Sequence, residues 1–447
     1  MTRLASALAV ALLSVSAAFG WPLPFGAASG NRVVAGKGSF PRWHALSIPT
    51  EAPLRWLIAL PRRQLAAVDR EGTFWVFDVA DAGLRVAARY GEVAGPDGPP
   101  VVVSLDGERS GVALVGRDGR LAVWSGGSLR SYDVGAPLSR LTFPTPVSFP
   151  GRGWDDLLAV AADGAVVLIG GLPAAPRVVS RLDVRALPDA RITLGDLDGD
   201  GLPEAVVLTD PTSRYPHGIL GDRLEAGSLT VIGLSPNGLA LRARHPLTPP
   251  AVFEDLVPVI ALLDGGPPPA ILVARSAPEQ GAAVVALGLR DGALAVLAES
   301  PAFGQSNRWS HVIAAADLSG DGIPEVLAVR APHVGGALTA YRRRGAALVS
   351  IAQAPGFASH AIGSRNQGQA LAADLDGSGR AEVVVPRQSR DVLAALELDG
   401  GRFVERWSLA LKSPIESNLV AADLDADGLL DLAVADRRAL HVFLSVK

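Results

Sequence analysis

Four short segments of this chain place carboxylates at alternating positions of a nine-residue loop. In the first, Asp196, Asp198 and Asp200 hold positions one, three and five, Leu202 offers a backbone carbonyl at seven, and Glu204 closes the loop at nine. The same frame reads Asp317, Ser319, Asp321, Ile323 and Glu325, then Asp374, Asp376, Ser378, Arg380 and Glu382, then Asp423, Asp425, Asp427, Leu429 and Asp431. Clustered carboxylates repel one another unless a cation lies between them. Calcium takes about six to eight oxygen ligands at about 2.3–2.6 Å, a demand that three acids, a carbonyl and water can meet. Magnesium fits less well, because it holds a smaller octahedral shell rich in water. Glycines such as Gly199 and Gly201 permit the turn that aims the acids inward. The helical calcium hand closes at position twelve, which here is Val207, so no such hand is present. Asp and Gly also populate ordinary hairpins, but four copies in register favour up to four calcium sites. The expected role of the ions is structural, with Ser319 and Ser378 weakening their loops.

The loops must be held by strands. Each follows a short apolar stretch and runs into another, such as Ala205 to Leu208 or Val383 to Val385. In this frame weaker copies emerge: Leu262–Ala270 keeps Asp264, Ser148–Asp156 keeps its final carboxylate, Ser104–Val112 keeps Asp106 and Glu108, and Leu57–Leu65 keeps only the pattern. The starts, 57, 104, 148, 196, 262, 317, 374 and 423, recur at a period near 50 residues with several strands in each unit. That is an all-β propeller of four-stranded blades, with eight favoured and seven the alternative count. The seventh copy reads as strands 369–373, 382–385, 391–396 and 403–409. The last copy has only three strands before Lys447, so a strand at 43–48 is expected to supply the fourth and close the ring. With no linker visible, residues 19–447 read as one domain with a short lead segment.

At these loops the sequence resembles the FG-GAP/VCBS repeat family, which includes the propellers of integrin α-subunits. The likeness is strong after Arg191 and faint before it. Phe-Gly and Gly-Ala-Pro signatures are not found at repeat spacing, so only the cation loop and strand pattern carry over. The resemblance implies calcium in the loop between the first two strands of a blade, and a role in adhesion, ligand binding or accessory scaffolding.

If the acidic loops lie on one face of the disc, the entry to strand one and the turn after strand two lie on the other. That collects Arg308, Trp309 and His311, then Arg330 and His333, then His360, Arg365 and Asn366, then Arg387 and Arg390. An insertion at 210–222 adds Arg214, Tyr215 and His217. These residues are expected to line a polar funnel suited to an anionic glycan or peptide, since Arg pairs with carboxylates and an aromatic ring stacks on sugars. Satisfying loop backbone groups is the competing role for the same side chains.

Composition narrows the function. A net charge of −4 gives no basis for nucleic acid as a partner. Without cysteine there is no disulfide framework, thiolate metal site or lipidated Cys. Arg3, an apolar run from Leu4 to Val15 and the small residues Ser16, Ala17 and Ala18 read as a signal peptide over residues 1–18. The mature protein is therefore expected in the periplasm or outside the cell, without a membrane span, facing an unknown ligand or protein there. No Gly-x-Ser-x-Gly elbow, His-Glu-x-x-His motif or phosphate-binding Gly loop occurs. The expectation is a non-catalytic binding or scaffold module. The alternative is a propeller enzyme, such as a polysaccharide lyase or quinone-dependent dehydrogenase, acting on the face opposite the loops.

Overall fold

The structure, a computed structural model, describes residues 33–95, 97–107 and 109–447. The signal peptide read at 1–18 and Glu108 lie outside the described residues. The described strands form consecutive antiparallel sets of four, blades one to eight, with the spans 54–90, 101–132, 145–183, 193–246, 259–299, 310–355, 371–410 and 420–445. Blade eight contributes three strands of its own and takes its outer strand, Trp43–Pro49, from the N-terminal side of the chain. That strand runs antiparallel to Ala439–Ser445, in unbroken register from Trp43 opposite Ser445 to Pro49 opposite Ala439.

Burial follows strand position within a blade. In blade three, Asp155–Val160 and Ala165–Gly170 are buried at every residue, while the outer Arg177–Asp183 alternates between exposed and half-buried. A strand covered on both faces reads as a continuous apolar run, whereas an edge strand keeps the period of two. The cores lie between neighbouring blades. Leu46, Leu65 and Phe77 pack with Val420 and Leu440 across the blade one–blade eight junction, and Trp407, Leu409 and Phe443 pack between blades seven and eight.

Two features depart from simple repetition. Blades four, five and six share one continuous sheet, because Val252–Phe253 pairs with strands of both blades four and five, and Glu299 pairs with Ala347. The lead segment also adds Val33–Lys37 in parallel to Leu371–Asp374, the inner strand of blade seven. It then crosses between two acidic loops: Gly38 and Phe40 donate to the carbonyls of Asp374 and Leu375, and Leu430 donates to that of Lys37. A Cβ at Gly38 would sit 2.4 Å from the Leu375 carbonyl oxygen, so this crossing requires glycine.

Seven of the eight repeat starts read from sequence fall at the end of an inner strand. Leu57 instead lies within Leu54–Leu60, and the loop of blade one is the tight turn 61–63.

Leu46 is buried in the closure core, and Leu46→Ala should cost about 2–5 kcal/mol in equilibrium unfolding. Deleting residues 1–49 should expose the Ala439–Ser445 edge and shift the size-exclusion profile from that of the full chain towards aggregate. An unchanged peak would show that the ring does not need this strand.

Candidate functional site

Each acidic loop joins the first and second strands of its blade and is tied by one recurring bond. The position-nine carboxylate accepts the N–H of the leucine at position two: Leu197 to Glu204 at 2.8 Å, Leu318 to Glu325 at 2.8 Å, Leu375 to Glu382 at 2.7 Å and Leu424 to Asp431 at 2.7 Å. All four leucine side chains are buried, which pins the loop's start. The first aspartate accepts the N–H of the glycine at position six, from Gly201, Gly322, Gly379 and Gly428 at 2.7–3.1 Å. The turn is built from side chain–backbone bonds, which is why Asp and Gly dominate it.

This folding draws carboxylate oxygens to within 4.8 Å of one another in Asp196–Asp198–Glu204, Asp317–Asp321–Glu325, Asp374–Asp376–Glu382 and Asp423–Asp425–Asp431. Asp200 and Asp427 stand outside these triplets and accept the N–H groups of Leu202 and Leu429, each at 2.8 Å. Ser378 turns its hydroxyl to Glu397, a carboxylate from strand three that sequence reading missed. Its signal was its register, one residue beyond the Val383–Leu396 pair and so beside Glu382.

Burial, reinforced by neighbouring aspartates, pushes the carboxyls of Glu204 and Asp431 up to about 7 and that of Glu382 up to about 8. Burial also raises Asp374 and Asp425. A cation at the centre would reverse this penalty. The Asp374 Oδ1 atom is buried without a hydrogen-bond partner, as a metal ligand would be. The donor sets of blades four, seven and eight thus fit a hard divalent ion, each with the carbonyl at position seven (Leu202, Arg380 or Leu429) as a further oxygen.

Blade six differs. The guanidinium of Arg342 donates to the Asp321 carboxylate at 2.5 and 2.8 Å, to Ser319 Oγ at 2.8 Å, to the Ile323 carbonyl at 3.3 Å and to Glu325 Oε1 from Nε at 2.9 Å. Its hydrogen bond holds the Asp321 carboxyl below its usual range. This donor set does not fit a metal ion while Arg342 is in place.

On the opposite face the residues singled out from sequence divide into two groups. Trp309 and His311 are buried, their rings stacked at 4.7 Å, and His311 Nδ1 bonds Ser359 at 2.8 Å. Trp309 belongs to a small core with Ile219, Leu220 and Leu256, so it packs the insertion down and leaves no face for a sugar. Tyr215 in that insertion accepts from the Asn307 N–H at 2.7 Å, and His217 bonds Glu254. Arg365 is an internal ion-pair centre, bonded to Asp189 at 2.8 Å and Asp222 at 2.7 Å, with Asp97 at 3.4 Å. Its carbonyl accepts from Arg191, which is itself buried over Trp56 with 5.0 Å between guanidinium and ring. Asn366 donates to the Arg55 carbonyl at 2.9 Å and accepts from Gly368 at 2.8 Å.

The second group lies around a cavity, with His333 and Arg390 half-buried and His360 buried. His333, His360 and Arg390, with Gln388 and Ile362, line a cavity of about 310 Å³. His333 Nε2 lies 2.9 Å from His360 Nδ1, and His360 Nε2 bonds the Ser364 carbonyl. Burial, with neighbouring histidines adding to it, lowers His333 to about 4 and His360 to about 3, so both are neutral at pH 7. Arg390 donates to the Ile415 carbonyl at 3.1 Å and forms no ion pair among the described residues. Arg330 lies 3.9 Å over Phe303, and Arg308 donates to the Asn307 carbonyl at 3.1 Å. Arg387 lies over Phe357 at 4.6 Å and pairs with Glu405. Ile362 and Val334, 71% and 66% exposed, give this face an apolar fringe.

Comparisons agree with the fold and the loops. The FG-GAP-like repeat family matches residues 374–434, which include the acidic loops of blades seven and eight. No curated protein matches the chain. Among solved structures, the Dos1 propeller is similar at a TM-score of 0.54 and 11% identity, with 90% of this chain and 94% of that one covered. Sqt1 of Saccharomyces cerevisiae is similar at 0.54 and 9% identity, covering 94% and 99%. Both likenesses establish a β-propeller.

The neutral histidine pair makes stability depend on pH. Lowered pKa values in the fold mean that the unfolded chain, near pKa 6.5, binds more protons on acidification. Their contribution is complete above pH 6.5 and is lost as pH falls towards 4. The raised carboxyls of Glu204, Glu382 and Asp431 act in the opposite sense, so the pair is read by difference. Between pH 7.5 and 4.5 the urea midpoint of the wild type should fall relative to that of His333→Gln, and parallel curves would rule the pair out.

Proposed function

We propose that this chain is an exported, calcium-loaded β-propeller that acts as a non-catalytic binding module. Calcium in the loops of blades four, seven and eight fixes one face of the disc. The opposite face presents the His333–His360–Arg390 cavity to a carboxylate-bearing ligand of the cell exterior or periplasm.

The observation that carries the reading is Arg390, without an ion pair among the described residues, beside the half-buried His333 and the buried His360 in a cavity with an apolar rim. A half-buried guanidinium without a carboxylate partner prefers a bidentate anion over bulk water. The neutral imidazoles bring no competing charge to the cavity, and the exposed Ile362 offers an apolar contact at its rim. Both histidines are engaged with each other and with a backbone carbonyl, an arrangement that favours binding over catalysis.

Thermal unfolding in chelator and then in calcium or magnesium tests the metal part. Each occupied site at a free calcium concentration 100-fold above Kd stabilises by about 2.7 kcal/mol, so a calcium-specific rise in midpoint is expected. No response to either ion would remove calcium from the reading. For the ligand face, binding to an array of uronate oligosaccharides and acidic peptides is measured for the wild type and Arg390→Gln. A loss of at least about tenfold is expected, as one charge-assisted bond contributes roughly 1.5–3 kcal/mol. Equal binding by both would place the ligand elsewhere.

A further inference from the structure

One residue position, on the third strand beside the position-nine acid, carries a different residue in each loop-bearing blade. In blade four Gly233 pairs directly with Glu204. In blades six, seven and eight the residue one beyond the pairs Val326–Tyr341, Val383–Leu396 and Leu432–Phe443 is Arg342, Glu397 and Leu444. Glycine and leucine leave the acidic loop as it is, and glutamate adds a carboxylate. Arginine brings a cation of its own.

We infer that Arg342 is the built-in cation of the blade six loop, and that this loop keeps its shape without binding calcium. The guanidinium reaches the donors of positions three, five, seven and nine together: Ser319, Asp321, the Ile323 carbonyl and Glu325. Those are the oxygens that a metal ion would need, and a planar fork of five N–H groups satisfies them as directed bonds. The side chain is held along its length between Glu325, which is buried, and Asp321 at the rim. Calcium could enter only by expelling a cation already tied to two carboxylates, and two positive charges within about 4 Å repel strongly where water is scarce.

The chain uses the same substitution in a weaker copy. In blade three the acid at position nine, Asp156, is buried and bonded at 2.6 Å by Arg152 from within its own loop. In blade five the lone Asp264 is paired at 2.5 Å with Arg343, the neighbour of Arg342 in sequence. Arginines near the blade seven loop act differently. Arg380 bonds Glu397 at 2.6 Å, and Arg406 reaches only Asp376 of the loop's own acids, at 3.3 Å.

Calcium counting decides the point. The mature protein, stripped with chelator and returned to calcium, is dialysed to equilibrium and its bound calcium is counted. Arg342→Ser should bind one ion more than the wild type, and Arg342→Lys, which keeps the positive charge, should match the wild type. Asp321→Asn, an exposed change, should leave the wild-type count unaltered but abolish the extra ion in the Arg342→Ser background. Equal counts for wild type and Arg342→Ser would overturn the inference, as would loss of an ion on Asp321→Asn alone. If Arg342→Ser unfolds in chelator but folds in calcium, the ion has replaced the guanidinium and the inference stands. Should it fold in neither, the Asp321→Asn count in the wild type decides alone. The inference relies on calcium binding elsewhere only for the total. A wild-type count of zero with one ion gained in Arg342→Ser would sink calcium in blades four, seven and eight while upholding the role of Arg342.

Discussion

Everything in this molecule depends on the closing of a ring whose last sheet is assembled from both ends of the chain. Seven blades have four consecutive strands each, and the eighth is completed by Trp43–Pro49 on Ala439–Ser445. Hydrophobic cores lie between blades, so each blade is covered on its two faces only if its neighbours are present. An open ring would leave two blade faces and one strand edge in water, and the whole series would lose its lateral support. The second lead strand, Val33–Lys37, adds to this lock by pairing with the inner edge of blade seven and bracing the loops beside it.

The loops show how one local design carries different electrostatics. The backbone is held by leucine N–H to carboxylate and glycine N–H to aspartate bonds in every copy. That scaffold concentrates negative charge whether or not a cation follows, and the raised carboxyls of Glu204, Glu382 and Asp431 register the cost. Blade six resolves it with a side chain. On the far face, Arg365 is saturated by three carboxylates while Arg390 has none, and that contrast in pairing separates a structural cation from a candidate ligand contact.

Much of this was legible from periodicity. The acidic loops fixed the frame, the frame exposed weaker copies, and the missing fourth strand of the last copy pointed to residues 43–48. The strands read for blade seven fall within about three residues of those observed. What was not legible came from contacts distant in sequence or from turn chemistry without acids. The turn 61–63 of blade one carries no Asp, so its start was set four residues early. Trp309 and Arg365 look like ligand groups in a list of polar residues. Only the packing of the insertion over Trp309, and the convergence of Asp97, Asp189 and Asp222 on Arg365, shows them to be internal. Arg342 stands well outside the nine-residue motif, and its place in the loop depends on strand register.

The order in which the ring is sewn together bears on when it can form. The strand that closes blade eight, Trp43–Pro49, precedes blade one in sequence, and its partner, Ala439–Ser445, follows the other seven blades. The earliest blades can collapse during synthesis, but the first and last faces must wait for the C-terminal residues before they meet. Closure of blade eight is therefore the most non-local contact of the ring, and it can form only after the blades between its two halves are in place.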